Sequence, residues 1–311
     1  MRFRSYAWGV MWGMIPVILW GAFVRISKSG AGCGEHWPTC QGEVVPLAAS
    51  TETLIEFTHR AMSGLLGLAA VILVVWAWRA FPRHHPVRKA AMGTLLFVLA
   101  EGAIGAMLVL LGLVGDDARP VRGLVIAIHL VNTLGLLGCA TLTAHLAGGG
   151  SAPDWRDRRR SWAFVVGLVL MALTAATGAV TALGDTLFPV ELGLGEGLWP
   201  HIQAELSSGQ HLLVRLRAVH PMIAVVGALF LLYLAHVQHD EGASPPVRFW
   251  ALRLALLVVL QVALGLANVA LAAPAWMQLA HLLVADLIWI GLVMLTIHAL
   301  ATEPEPVAAA E

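Results

Sequence analysis

Charge is what this sequence has least of. Only 12% of its 311 residues are charged, lysine occurs only at Lys28 and Lys89, and 19 basic side chains balance 19 acidic ones. A soluble domain carries about 25% charged residues, so a soluble fold is excluded. The zero balance by itself says nothing about nucleic-acid or acidic partners; no nucleic-acid partner is expected of this chain. Cysteine is nearly absent too: Cys33, Cys40 and Cys139 are the whole set. The segment 184–211 has none, which excludes any chemistry that needs two thiol pairs.

Apolar residues fill the gap, at 59% of the chain and a mean hydropathy of +0.79. A spanning helix needs about 20 mostly apolar residues. Eight windows qualify, roughly 7–25, 56–80, 90–114, 121–147, 161–183, 212–237, 248–272 and 277–300. The expected fold is an all-α polytopic membrane protein of eight transmembrane helices arranged as two repeated four-helix bundles. Arg2 and Arg4, then Arg79, Arg83, Arg88 and Lys89, then Arg156, Arg158, Arg159 and Arg160 mark cytoplasmic segments by the positive-inside rule. The stretches 26–55 and 184–211 are mostly acidic and face outward, as does the short loop with Asp116 and Asp117, although Arg119 and Arg122 accompany it. Both termini are then cytoplasmic in a cell membrane, and the acidic tail 301–311 is expected to be disordered. Residues 1–25 are read as a span rather than a cleaved signal, because the apolar run is long and cleavage would leave an odd number of helices.

An internal repeat organises the histidines. "VLAEGAIGAML" at 98–108 aligns with "VVLQVALGLAN" at 258–268, setting Glu101 against Gln261 and Gly105 against Gly265. His59 in "IEFTHRAM" then corresponds to His220 in "LRAVHPMI", and His129 in "IAIHLVN" to His281 in "QLAHLLV". Each lies a few residues inside the outward end of an even-numbered helix. Two histidines at one depth on different helices of a four-helix bundle suit bis-imidazole haem ligation. A lone membrane histidine ordinarily just hydrogen-bonds a neighbouring helix, but that does not account for four at matched depth. The other histidines, in loops or at helix ends, are not expected to be ligands; His211 is the hardest of them to place.

The repeat is broken at one position. Glu56 stands three residues before His59, on the same helix face, and Arg217 stands at that spacing before His220. A guanidinium near the outer rim suits a haem propionate. An unpaired carboxylate there would repel propionates, yet could take a proton or stabilise developing positive charge. The competing explanation for Glu56 is a helix start, where the macrodipole favours acids. Arg25 and Arg60 also lie at this rim, and either could pair with Glu56 or bind propionates.

Together, "GAFVRISKSGAGCGEHWPTCQG", "IEFTHR", a histidine in the fourth helix, "VHP", and a histidine in the eighth resemble the haem A synthases over nearly the whole chain. The resemblance implies an oxidoreductase that converts the C8 methyl of haem O to the formyl group of haem A. It implies that His59 and His129 flank haem O, that His220 and His281 ligate a haem b, and that Glu56 is required for activity. On this reading residues 1–147 hold the substrate, 148–160 form a basic linker and 161–300 hold haem b. Implied partners are a haem O synthase (a farnesyltransferase), an electron acceptor and the bilayer, with a homo-oligomer as a further expectation. The alternative is a di-haem b-type electron-transfer protein without synthase activity. Cys33 and Cys40 lie on the outward side, where disulfides persist. A bridge between them could stiffen a lid or relay electrons, or the thiols could bind a metal; Cys139 is read as a packing residue.

Overall fold

A backbone inside a bilayer must satisfy its own hydrogen bonds, so each apolar run folds as a helix. The computed structural model describes residues 2–47, 49–189, 209–240 and 242–301. Among these lie eight helices long and apolar enough to cross a membrane. They are α1 (Phe3–Ile26), α2 (Thr51–Ala80), α3 (Pro86–Leu110), α4 (Pro120–Ala147), α5 (Arg158–Leu187), α6 (Leu212–Gln238, broken at Arg217 and Ala218), α7 (Pro245–Ala270) and α8 (Ala275–Ala299). Residues 190–208 of the long second loop, and the tail beyond Ala301 with its expected disorder, lie outside the described residues.

Local chemistry sets the helix ends. Pro86, Pro120 and Pro245 open α3, α4 and α7, where a missing N–H costs nothing. Ser50 caps α2 by accepting from the Thr53 amide at 3.3 Å, so that helix begins five residues before the apolar window does. Glu56 is therefore beyond the first turn, where the macrodipole explanation no longer applies. Asp157 likewise accepts from the amides of Arg159 and Arg160 and starts α5 at Arg158, inside the segment expected to be linker. That segment is tied down, since the Asp154 amide donates to Leu300 O at 2.7 Å.

Helices α1 to α4 close a ring of contacts, and so do α5 to α8. The rings join through α4 against α5, α1 against α8, α4 against α8 and α1 against α5. Under the repeat the first two pairs are equivalent and the last two each pair a helix with its own counterpart. This is the pattern of a pseudo-two-fold axis between the halves. Helices α8 and α4 are accordingly the most enclosed spans, while Leu65, Leu96, Leu229 and Leu256 on the outer helices are exposed, as lipid-facing residues are.

Candidate functional site

One cavity of about 1980 Å³ runs through both halves and is lined by His59, His129, His220 and His281. Ordinary ligand pockets are about 300–1,000 Å³, so this space suits two large ligands rather than one. Glu56, Arg217, Arg25, Arg60 and Glu101 also reach its wall.

Each half seats its first histidine against a glycine. A Cβ at Gly21 of α1 would lie 2.8 Å from His59 Cε1, and a Cβ at Gly178 of α5 would lie 2.9 Å from His220 Cε1. Only a residue without a side chain lets the imidazole lie that close to the neighbouring helix. The two glycines are themselves repeat counterparts, in "GAFVR" and "GAVTA", a signal that sequence reading passed over.

In the second half the rings of His220 and His281 are 6.5 Å apart between centroids, at 83° to each other. Two imidazoles on opposite faces of one iron, each bonded at about 2 Å, place their centroids about 6 Å apart. His220 Nδ1 lies 3.1 Å from Thr174 O and 3.3 Å from Thr177 Oγ1, which leaves Nε2 for a metal. Nδ1 of His59, of His129 and of His281 is buried without a partner, and an orphaned imidazole nitrogen in an apolar site suits a metal. The residues present therefore fit a haem in each half.

The second histidines have unlike neighbours. His129 Nε2 meets Glu101 Oε2 at 2.5 Å, whereas His281 Nε2 meets Gln261 Nε2 at 3.1 Å. Sequence alignment had set Glu101 against Gln261 without linking either to a histidine.

Glu56 is buried at 4% exposure and is paired, one of the two arrangements the sequence left open. Its Oε1 accepts from Arg60 Nη2 at 2.5 Å and Nε at 3.2 Å, and its Oε2 accepts from the Cys33 amide at 2.7 Å. Arg60 Nη1 also donates to His36 O and Thr39 O, at 2.6 and 2.7 Å. Of the two rim arginines, Arg60 thus takes Glu56 and knits it to the loop. Cys33 and Cys40 are joined in a disulfide within that loop. Gly32 lets the loop lie on α2, because a Cβ there would come within 2.5 Å of the Glu52 backbone.

Arg25 turns the other way. It donates to Ala182 O, to Thr186 Oγ1 at 3.0 Å and to Gln278 Oε1 at 3.2 Å, all in the second half. Arg217 faces the cavity but is already engaged, by Asp185 Oδ1 at 3.0 Å, by Gly184 O at 2.6 Å and by Phe188 O. His211 caps α6 and stacks on Phe188. His145 and His298 touch edge to face, 5.0 Å between centroids, and His201 lies outside the described residues. Cys139 is a free thiol packed against Gly93.

Comparison with known proteins places this architecture. The family model described as cytochrome oxidase assembly protein matches residues 4–293. A Thermus thermophilus protein named protohaem IX farnesyltransferase is 46% identical over 300 residues, 96% of this chain but 48% of that protein. The chain thus spans about half the length of that relative. A haem A synthase of Symbiobacterium thermophilum is 31% identical over 244 residues, 76% of this chain and 71% of that protein. A haem A synthase of Halalkalibacterium halodurans is 43% identical over 100 residues, 32% and 34% of the two chains. The chain belongs to the cytochrome oxidase assembly protein family.

Proposed function

We propose that this chain is a haem A synthase, oxidising the C8 methyl of haem O to a formyl group. The observation that supports it best is the unlike pair at one repeat position: buried Glu56 in the first half against Arg217 in the second. An electron-transfer protein needs two similar sites; a synthase needs one site that does chemistry. On this reading residues 1–147 hold the substrate between His59 and His129, and residues 161–300 hold a haem b between His220 and His281. Haem b supplies one-electron redox chemistry when bound. Arg217 stands at the rim of that site, ion-paired with Asp185.

The conversion replaces two hydrogens of the methyl group by one oxygen: CH₃ plus water gives CHO with release of four protons and four electrons to an external acceptor. On this reading Glu56 is the group that takes a proton. A carboxylate offers about four lone-pair sites; Arg60 occupies Oε1 twice and the Cys33 amide occupies Oε2 once. One site on Oε2 remains for water. Arg60 and the Cys33–Cys40 loop hold the base in place, which favours the stiffening role for the disulfide over a relay.

The basic segments put both termini on the cytoplasmic side of a cell membrane and the disulfide loop outside. A farnesyltransferase that makes haem O is the partner that must supply the substrate; a match to half of a Thermus protein bearing that activity's name supports this. Extracting and chromatographing haems after co-expression with such an enzyme tests the reading. Wild type yields haem A; Glu56→Gln yields haem b and unconverted haem O. Full conversion by Glu56→Gln, or haem b alone from wild type, would overturn it.

A further inference from the structure

The halves differ a second time, beside the other histidine. In the first half Glu101 Oε2 contacts His129 Nε2, and its Oε1 accepts from Asn132 Nδ2 at 2.9 Å and from Thr133 Oγ1 at 2.8 Å. Asn132 is itself fixed by donating to Phe97 O at 3.0 Å. The carboxylate is thus seated by donors on the helix that carries His129. In the second half all three positions have changed together. Gln261 replaces Glu101, Val284 replaces Asn132 and Ala285 replaces Thr133 in the register that sets His281 against His129. Gln261 contacts His281, but its Oε1 is buried without a partner. A carboxylate in a membrane interior is costly unless its oxygens are satisfied. The acid and its two donors therefore form one device, present in one half and dismantled in the other.

We propose that Glu101, seated by Asn132 and Thr133, is a positioning residue that acts through His129 to lower the reduction potential of the first-half haem iron below that of the second. This rests on the proposed ligation by His129 and His281. A carboxylate that takes the N–H of a metal-bound imidazole fixes the ring and raises its basicity. A more basic ligand, with a negative charge nearby, favours the ferric over the ferrous iron. Gln261 offers His281 only a neutral amide. A single electron shared by the two irons then resides in the second half, and the substrate site stays oxidised. Unlike Glu56, which faces the porphyrin rim, Glu101 bears on the iron through its ligand.

Optical redox titration of the purified protein carrying both haems tests this directly, with His129→Ala identifying the first-half signal. Wild type is expected to show two midpoints, the first-half haem lower. Glu101→Gln is expected to raise that midpoint by at least tenfold in the reduction equilibrium, about 59 mV for one electron, while Glu101→Asp keeps it near wild type. If Glu101→Gln loses the haem, the converse variant decides: Gln261→Glu with Val284→Asn and Ala285→Thr should lower the second-half midpoint by a similar factor. Equal midpoints in wild type overturn the proposal, as does a Glu101→Gln shift below twofold; where that variant holds no haem, an unmoved second-half midpoint in the triple variant overturns it. Haem A content, measured on the same preparations, separates the two readings. Haem A without the potential shift overturns only the role of Glu101, whereas the shift without haem A overturns only the synthase reading.

Discussion

Replacing Gly178 by Ala should loosen one haem and spare the other. The added Cβ would stand 2.9 Å from His220 Cε1 and 3.3 Å from Nδ1. Carbon atoms in contact sit about 3.5–4.0 Å apart, so at least about 0.6 Å must be recovered by moving the ring or the helix. The ring is tethered, because Nδ1 is held by Thr174 O at 3.1 Å and Thr177 Oγ1 at 3.3 Å. Overpacking of this kind costs about 1–3 kcal/mol. At about 1.4 kcal/mol per factor of ten, haem in the second half should be held about 5- to 150-fold more weakly. The assay is the haem-to-protein ratio by pyridine haemochrome after serial dilution in detergent, with His220→Ala marking complete loss. Gly21→Ala, with its Cβ 2.8 Å from His59, should do the same to the first half alone. Gly9→Ala is the control: it lies inside α1 away from the cavity wall, its Cβ meets nothing within 4 Å, and the change should add helix stability of about 0.8–1.0 kcal/mol. If Gly178→Ala retained both haems like wild type on dilution, the imidazole would not be seated against that glycine and the reasoning would fail.

Two further outcomes follow from the Glu56 contacts. Arg60→Ala leaves a buried carboxylate without its cation and strips two loop carbonyls of their donor; the expected cost is about 3–5 kcal/mol, read as a lowered thermal unfolding midpoint in detergent, with Arg60→Lys recovering part of it. Removing the disulfide in a Cys33→Ser, Cys40→Ser double variant frees the segment that brings the Cys33 amide to Glu56. A hydrogen bond to a charged group contributes about 1.5–3 kcal/mol, so haem O conversion should slow by about 10- to 150-fold while haem b content holds. Unchanged conversion in that variant would show that the loop does not position the acid.

Eight spans, and the pairing of His59 with His220 and of His129 with His281, were legible because both rest on patterns along the chain: apolar run length and an internal repeat. The start of α2 was not. "STETLIE" is too polar to register in a hydropathy window, and what begins the helix there is the Ser50 cap. The choice between Arg25 and Arg60 was equally hidden, since both sit at the same outer rim of their helices. Only the packing of α1 against α5 and α8 sends Arg25 away. Arg217 suits a propionate by its charge and place, but its contacts with Asp185 and the end of α5 could not be read along the chain. The Glu101–His129 contact joins α3 to α4, and no periodicity in either helix reports it.

Arg25 carries a consequence for how such a chain can arise. Its repeat counterpart, in the register set by Gly21 and Gly178, is Ala182, and it is the Ala182 carbonyl that Arg25 holds. In a dimer of identical four-helix units this position would face its own copy across the axis. An arginine would then meet an arginine, and an alanine an alanine. A cation answered by a bare backbone suits two halves of unlike sequence, as the two halves of this polypeptide are. Duplication followed by fusion lets each side of the axis mutate alone, and a first half that carries Arg25 would set two cations together if it paired with its own copy.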